Sequence, residues 1–280
     1  MSRSWFITGV SSGLGRAIAE AALEHGDLVF GTVRREADKT AFEALAAGRA
    51  VGLMLDVTHS GVLKLAIEAA DQASGGLDVL VNNAGYGLLG AIEEASLEEM
   101  QAQFAVNLFA PILAAQAVLP GMRQRRSGRI INISSVSGVA PWAGTGVYTA
   151  SKFALEGAMR TLAQEVSGFG VLVTNIAPGA MRTDYAGRSL ITVERVIGDY
   201  DGGPAHAAAH LLTDHAGHEG GDPAKIAAAV LAVVDSPAPP LQLLVGADAI
   251  HYATREAARA QAEMGEWIAL SLATGFDPSV

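Results

Sequence analysis

The chain has 280 residues, of which half are hydrophobic and 17% are charged, and its formal net charge is −10. This composition fits a folded globular enzyme and excludes a largely disordered chain, and the lack of a long basic run disfavours nucleic-acid binding. The chain contains no cysteine, which excludes disulfides, thiolate catalysis and cysteine-ligated zinc.

Apolar runs alternate with helical patterns from residue 4 to about residue 180. The runs lie at 4–8, 27–34, 51–57, 77–83, 128–135 and 170–178, and a seventh follows at 241–246. Each run is continuously apolar, as in strands that are buried on both faces of a parallel sheet. We therefore predict an α/β fold in a single domain over residues 1–280. It would be a Rossmann-like, doubly wound sheet of seven parallel strands with helices on both faces.

Two segments depart from this alternation. Residues 184–222 are irregular and rich in glycine and polar residues, which predicts a lid over a substrate site. Residues 247–272 predict a C-terminal helical extension whose packing partner the sequence does not identify. The N-terminus enters an apolar strand at once, without the pattern of a signal peptide, and no apolar run reaches transmembrane length. We therefore expect a soluble, cytoplasmic protein.

Polar and glycine-rich motifs follow the predicted strands. "TGVSSGLG" (8–15) joins the first strand to a helix, where glycines let the backbone approach a phosphate and the helix N-terminus favours negative charge. The alternative is a tight turn that binds nothing. Asp56 and "NNAG" (82–85) follow the third and fourth strands, and open parallel sheets bind ligands at these carboxyl ends. Taken singly, each of these residues is more often a turn residue than a ligand contact.

A second group of residues points to proton transfer. Ser135 ends "NISS" (132–135), thirteen positions before Tyr148, and the glycine-rich interval could fold back to bring the two hydroxyls together. Ser134 is the alternative hydroxyl. Tyr148 and Lys152 lie four positions apart, so they share one face of a helix. An ammonium near a phenol favours the phenolate and lowers the phenol's pKa from its usual value of about 10.

These motifs, together with Asn107 and "PGAMRT" (178–183), resemble in order and spacing the short-chain dehydrogenases/reductases. The resemblance covers residues 4–183, is to the single-domain type, and is closest to the branch of 17β-hydroxysteroid and retinol dehydrogenases. It implies that Tyr148 is the general acid or base and that Lys152 tunes it and holds the nicotinamide ribose. It also implies that Ser135 stabilises the carbonyl oxygen and that Asn107 holds a relay water.

The resemblance also implies the residues that surround the ligands. The expected cofactor-binding residues are Gly9, Ser11, Ser12, Gly13, Leu14, Arg34, Arg35, Asp56, Val57, Asn83, Ala84, Gly85, Tyr148, Lys152, Pro178, Gly179, Met181 and Thr183. The expected substrate-binding residues are Tyr86, Val136, Trp142, Ala180 and Tyr185, which indicate an apolar substrate. For Met181 and Trp142, core packing is an equal alternative. No metal is expected, since the lid histidines His206, His210, His215 and His218 lack the spacing of metal ligands.

The end of the second strand, "FGTVRRE", concerns the choice of cofactor. In NAD-binding sheets an acidic residue at this point accepts from the ribose 2′-hydroxyl. Thr32 and Val33 stand where that acid is expected, and Arg34 and Arg35 follow. A guanidinium suits phosphate oxygens, so NADP is predicted in preference to NAD, with Arg34 as the main contact and Ser12 as a further hydroxyl donor. The alternative is that the arginines begin a solvated loop.

The sequence therefore predicts an NADP-dependent oxidoreductase that interconverts a ketone or aldehyde and an alcohol on an apolar small molecule. The resemblance implies a homodimer or homotetramer, assembled through the helices of residues 97–125 and 148–168. One alternative is a cofactor-binding regulator without turnover, which the presence of both Tyr148 and Lys152 disfavours. Another is an epimerase or dehydratase on the same scaffold, which the glycine spacing disfavours.

Overall fold

Seven parallel strands form the central sheet of the computed structural model, which describes residues 2–182, 189–214 and 219–276. In the order β3-β2-β1-β4-β6-β7-β9, every pairing is parallel. This arrangement confirms the predicted fold class. The strands are β1 (Ser4–Ile7), β2 (Leu28–Val33), β3 (Ala50–Met54), β4 (Val79–Asn82), β6 (Gly128–Ile133), β7 (Val171–Pro178) and β9 (Gln242–Val245), and a separate parallel pair is formed by β5 (Gly87–Leu89) and β8 (Leu190–Thr192).

Helices cover both faces of the sheet. They are α1 (Gly13–Glu24), α2 (Glu36–Glu43), α3 (Ser60–Ser74), α4 (Leu97–Phe104), α5 (Ala110–Arg125), α6 (Gly146–Val166), α7 (Pro204–Asp214), α8 (Pro223–Asp235) and α9 (Ala247–Leu272). One core lies under α1, α2 and α8 and takes Trp5 and Ile7 from β1, and the other lies under α3, α5 and α6 and takes Phe6. Both faces of β1 are thus buried, which is why its sequence is continuously apolar.

The order of the strands reverses between β1 and β4. From β1 the chain winds outwards through β2 and β3, and from β4 it winds the other way through β6, β7 and β9. Such a switch point leaves a crevice at the carboxyl ends of the two strands, which is where open sheets of this type bind ligands. The motifs at residues 8–15 and 82–85 follow β1 and β4 and therefore border this crevice.

The predicted helix over residues 97–125 is interrupted by a π-helical turn, Ala105–Phe109, between α4 and α5. By length and apolar composition alone, Leu97–Arg125 could cross a membrane, contrary to the expectation that no segment reaches that length. In the fold, α5 instead packs against α3 and the sheet through buried residues such as Ala114, Val118 and Met122. The π turn carries Asn107, and irregular turns of this kind are frequent at functional sites.

The segment that the sequence marks as irregular contains regular structure where it is described. β8 pairs with β5, and α7 follows it. The C-terminal helix α9 is buried at Ala249 near its start, but every described residue from 257 onwards is exposed. The first turns of α9 are therefore the part that contacts the body of the protein.

The close approach of α1 to the strand ends generates a stability prediction. A Cβ added to Gly15 would lie 2.2 Å from the carbonyl oxygen of Gly9 and 2.3 Å from Asn83 Nδ2. We expect Gly15→Ala to lower the free energy of unfolding in urea by about 1–3 kcal/mol, because α1 must move away from the sheet. Gly61→Ala in α3, where an added Cβ meets nothing within 4 Å, is the control and should leave stability unchanged or slightly higher. Equal effects of the two substitutions would contradict this account.

Candidate active site

The glycine turn after β1 is shaped for close approach by a ligand. Gly9 (φ +74°) and Gly13 (φ +61°) adopt left-handed conformations, which glycine tolerates best. The Gly9 N–H donates to Thr32 Oγ1 at 2.9 Å, so β2 holds the turn in place. Ser12 occupies the N-cap of α1, but its side chain does not cap the helix. The helix N-terminus is thus without a side-chain acceptor at the position where a phosphate would bind.

Asn83 joins this turn to the end of β4. Its Nδ2 donates to the carbonyl oxygens of Thr8 (2.9 Å) and Gly9 (3.0 Å). In return, Thr8 Oγ1 accepts from the N–H groups of Asn83 (2.9 Å) and Ala84 (3.0 Å). The two motifs therefore form one hydrogen-bonded unit across the switch point. Thr8 and Thr32 were not singled out from the sequence as site residues, although both are hydroxyl residues at or next to the carboxyl end of a strand.

Asp56 lies at the same edge of the sheet, next to the buried Val57. Its Oδ1 accepts from the N–H (2.9 Å) and the hydroxyl (2.7 Å) of Thr58. Burial raises the pKa of Asp56, but these hydrogen bonds and the nearby charge of Arg34 outweigh it and leave that pKa below its usual value. The second oxygen, Oδ2, accepts no hydrogen bond from the described residues. It is available to accept from an adenine amino group.

The two arginines after β2 differ in their partners. The guanidinium of Arg35 makes two hydrogen bonds with Asp38, at 2.7 and 2.8 Å, and this ion pair raises the pKa of Arg35. Arg34 is exposed and forms no hydrogen bond or ion pair with the residues that the structure describes. Arg34 is also close enough to Asp56 to lower its pKa. Of the two, Arg34 is therefore the one available to a ligand beside Asp56.

Helix α6 carries Tyr148 and Lys152 one turn apart. Lys152 is buried, its Nζ lies 5.8 Å from the centroid of the Tyr148 ring, and it donates to the carbonyl oxygen of Ile133 at 2.8 Å. Burial lowers the pKa of Lys152 to about 8, and the negative charge of Glu156 acts in the opposite direction. An ammonium has three protons to donate, so the bond to Ile133 leaves the others for a bound ligand or water.

Asn107 lies beside these residues in the π turn. Its Nδ2 donates to the carbonyl oxygen of Tyr86 (2.9 Å) and to Ser151 Oγ (3.1 Å), and its Oδ1 accepts from the Tyr86 N–H (3.2 Å). A Cβ added to Gly85 would lie 3.1 Å from Asn107 Oδ1 and 3.7 Å from Lys152 Nζ. The structure therefore brings Gly85, Asn107 and Lys152 together and assigns the amide of Asn107 to the backbone of Tyr86.

The two candidate serines after β6 have different environments. Ser135 is half-buried, and its Oγ accepts from the Ser137 N–H at 3.0 Å, which leaves its own proton to donate. The hydroxyl of Ser134 is buried and has no partner among the described residues. A Cβ added to Gly138 would lie 2.9 Å from it. Ser135, rather than Ser134, is therefore the accessible hydroxyl.

Several of the predicted substrate-binding and cofactor-binding residues contact the start of α9. The rings of Trp142 and Tyr252 meet edge to face with centroids 4.4 Å apart, and Val136 packs in a small apolar cluster with Ala249. Asp248 Oδ2 accepts from the Ala180 N–H at 2.7 Å. Of the other predicted residues, Ser11 lies in the glycine turn, Leu14 lies in the first turn of α1, and Tyr86 is half-buried beside Asn107. Pro178 ends β7, Gly179 follows it and packs on Asp248, and Met181 bridges to Gly221. Thr183 and Tyr185 lie outside the described residues.

A buried carboxylate bonds to the described part of the segment that the sequence marks as irregular. Glu94 accepts from the N–H groups of Ala91 (2.7 Å) and Ile197 (2.8 Å) and bonds to His206 Nε2 (2.9 Å), while His206 Nδ1 contacts Asp201 Oδ1 (3.1 Å). The hydrogen bond to Glu94 raises the pKa of His206. The side chain of His210 and all of His215 and His218 lie outside the description. Across the residues that are described, no group of three or more metal-binding side chains occurs.

The sequence profile of the short chain dehydrogenases matches residues 4–192 of this chain. The fungal protein "Oxidoreductase BOA17" from Botryotinia fuckeliana is 40% identical over 275 residues, which cover 98% of this chain and 100% of the relative. A "3-ketodihydrosphingosine reductase" from Bacteroides thetaiotaomicron is 36% identical and covers 86% of both chains.

Solved structures show the same likeness. A short-chain dehydrogenase from Streptomyces avermitilis superposes with a TM-score of 0.92 at 37% identity, covering 98% of both chains. A metagenomic short-chain oxidoreductase in complex with NADP superposes with a TM-score of 0.69 at 31% identity, covering 88% of this chain and 97% of its own.

The raised pKa of His206 predicts how the stabilisation by the bond between His206 and Glu94 depends on pH. Because that pKa is raised in the folded protein, the stabilisation is complete below the usual value of about 6.5 and is lost as pH rises through the raised value. Hydrogen exchange of the amides in residues 190–200, corrected for intrinsic rates, should show protection that falls as the pH rises above about 6.5. We expect His206→Gln to remove this dependence and leave global stability nearly unchanged. A pH dependence that persists in the variant would exclude His206 as its source.

Proposed function

This chain belongs to the short-chain dehydrogenase family, and from that premise we propose that it is an NADP-dependent enzyme which interconverts a ketone or aldehyde and an alcohol. Family membership makes it an NAD(P)-dependent oxidoreductase with a small-molecule substrate. The observation that carries the finer proposal is the buried ammonium of Lys152, one helical turn from Tyr148 and beside Asn107. A regulator without turnover would have no need of a buried cation beside a phenol. No specific contact among the described residues supports an epimerase or a dehydratase.

The proposed mechanism assigns a step to each side chain. The cofactor would be held by the amides of the glycine turn and by Asp56 and Asn83, and it would supply or accept the hydride. Tyr148 would donate its phenolic proton to the carbonyl oxygen in reduction and remove the alcohol proton in oxidation. Ser135, which accepts from the Ser137 N–H, would donate its own proton to the substrate oxygen as negative charge develops there. Lys152 would favour the phenolate of Tyr148 and bond to the ribose.

The preference for NADP is supported by the difference between Arg34 and Arg35. Arg35 is committed to Asp38, whereas Arg34 forms no hydrogen bond or ion pair with the described residues. The hydroxyl oxygen of Thr32 accepts a hydrogen bond from the Gly9 N–H, and Val33 is buried. No acidic side chain therefore occupies the end of β2, and a free guanidinium stands next to it. A structural relative is named for its complex with NADP.

An apolar substrate is proposed from the residues that the family pattern places at the substrate site, which include Tyr86, Val136 and Trp142. The name of the Bacteroides relative, 3-ketodihydrosphingosine reductase, specifies the reduction of a keto compound, which agrees with carbonyl reduction by this chain. A homo-oligomer through the helices of residues 97–125 and 148–168 is supported by Phe109 and Phe153, which are 53% and 43% exposed in the single chain. A cytoplasmic location remains a prediction.

A panel of carbonyl compounds with NADPH tests the proposed function. The wild-type protein should oxidise NADPH with at least one apolar ketone or aldehyde. Tyr148→Phe should reduce kcat by about 10²–10⁴-fold and leave cofactor affinity nearly unchanged, because a positioned acid contributes that much. Fluorescence titration with NADPH provides the affinity. Retention of more than about a tenth of wild-type kcat would remove Tyr148 from the proposed role.

The cofactor preference is tested with a matched pair of variants. Arg34→Ala should raise KM for NADPH by roughly tenfold or more, because charge-assisted hydrogen bonds contribute about 1.5–3 kcal/mol each, and should hardly change KM for NADH. Arg35→Ala removes the same charge from the neighbouring position but breaks only the pair with Asp38, so it should change KM for NADPH little. If the wild type has equal kcat/KM for the two cofactors, or if Arg35→Ala has the larger effect, the assignment is wrong.

A further inference from the structure

Glu156 is a buried carboxylate one helical turn beyond Lys152 on α6, and its residue is only 4% exposed. Its Oε2 accepts from Asn175 Nδ2 at 2.8 Å and from Arg160 Nε at 3.2 Å. Its Oε1 is buried and has no hydrogen-bond partner among the described residues. A buried carboxylate that is only partly hydrogen-bonded is costly to the fold. Its position beside the catalytic helix turn therefore calls for an explanation.

A row of amides across the sheet fixes the position of this carboxylate. Asn82, Asn132 and Asn175 are aligned in the parallel register of β4, β6 and β7. Asn82 Nδ2 donates to Asn132 Oδ1 (2.8 Å), Asn132 Nδ2 donates to Asn175 Oδ1 (3.0 Å), and Asn175 Nδ2 donates to Glu156. The negative charge is consequently held by the rigid sheet, inside the protein, where electrostatic interactions are less screened than in water.

Among the residues that the structure describes, the other groups beside Lys152 on neighbouring elements are neutral. Strand β6 contributes the carbonyl oxygen of Ile133, and the π turn contributes the amide of Asn107. Tyr148 is the titratable group one turn before Lys152 on its own helix. Glu156 is the charged group that acts on Lys152 to favour its ammonium form, against the effect of burial. Arg160, one turn further along, is a cation whose side chain is 44% exposed and pairs with Glu156.

We propose that Glu156 is a positioning residue that keeps Lys152 in its ammonium form, so that Lys152 can stabilise the phenolate of Tyr148. This inference rests on the roles proposed above for Tyr148 and Lys152. Burial already lowers the pKa of Lys152 to about 8. Loss of the opposing carboxylate lowers this pKa further, so the lysine is more often neutral at the pH where Tyr148 must ionise.

The direct test is the ionisation of Tyr148 in the cofactor-free protein. Phenolate absorbance in the near ultraviolet is recorded against pH, and the curve of the corresponding Tyr148→Phe variant is subtracted in each background. Glu156→Gln should raise the midpoint of Tyr148 by roughly half a pH unit or more, because Lys152 is no longer fully charged. In a Lys152→Met background, Glu156→Gln should leave the midpoint unchanged or lower it, because only a negative charge is then removed.

Two further variants separate charge from packing. Glu156→Asp keeps the charge and should recover at least half of the shift. Arg160→Gln removes a half-exposed cation that competes for Glu156, so it should lower the midpoint of Tyr148. It also serves as the test if Glu156→Gln does not fold. A purely structural role predicts that Arg160→Gln raises the midpoint or leaves it unchanged, and either result would overturn the proposal.

The proposal is also overturned if Glu156→Gln leaves the midpoint of Tyr148 unchanged, or shifts it equally with and without Lys152. A decrease in melting temperature alone would then assign Glu156 to stability. These outcomes do not depend on turnover. If no carbonyl compound is reduced but the midpoints shift as expected, the proposed function fails and the electrostatic role of Glu156 stands. If carbonyl compounds are reduced but the midpoints do not shift, the proposed function stands and the electrostatic role of Glu156 fails.

Discussion

The parallel register of β4, β6 and β7 is the constraint on which the site depends. It aligns Asn82, Asn132 and Asn175 across the sheet, and it brings the carboxyl ends of the strands to one edge. Asn83 follows Asn82 in the chain, and its side chain donates to the carbonyl oxygens of Thr8 and Gly9. Asn83 thus bonds to the glycine turn, while Asn82 begins the row of amides that ends at Glu156 of α6.

A buried cation organises the second half of the site. Lys152 donates to the carbonyl oxygen of Ile133, and the carboxylate of Glu156, one helical turn away, favours its ammonium form. Burial of an ammonium costs free energy unless it is paired or hydrogen-bonded. Here the cost is offset by Ile133 and Glu156, and the benefit is a positive charge at a fixed distance from a phenol.

The fold could be predicted from the sequence because its signals are local. Trp5, Phe6 and Ile7 are adjacent and apolar, and only a strand that is covered on both faces buries all three. The π turn at Asn107 leaves no comparable signal in the sequence, because it keeps the helical pattern of apolar residues. The pairing of β5 with β8 leaves none either, because β5 is only three residues long. Glu156 was missed for a related reason: within a helical run, a glutamate reads as a solvated residue.

The sequence by itself determined the succession of strands and helices along the chain, and it located the chemical groups at the strand ends. Both follow from periodicity and spacing along the chain. Order and spacing along the chain favour Arg34 over Arg35 and Ser135 over Ser134, but they show no contact that separates the members of either pair. The tertiary structure distinguishes the members of each pair: Arg35 is taken by Asp38 and Arg34 is not, and Ser134 is buried while Ser135 is accessible. Neighbouring residues have nearly the same sequence context, whereas their partners depend on which distant segments approach them in space.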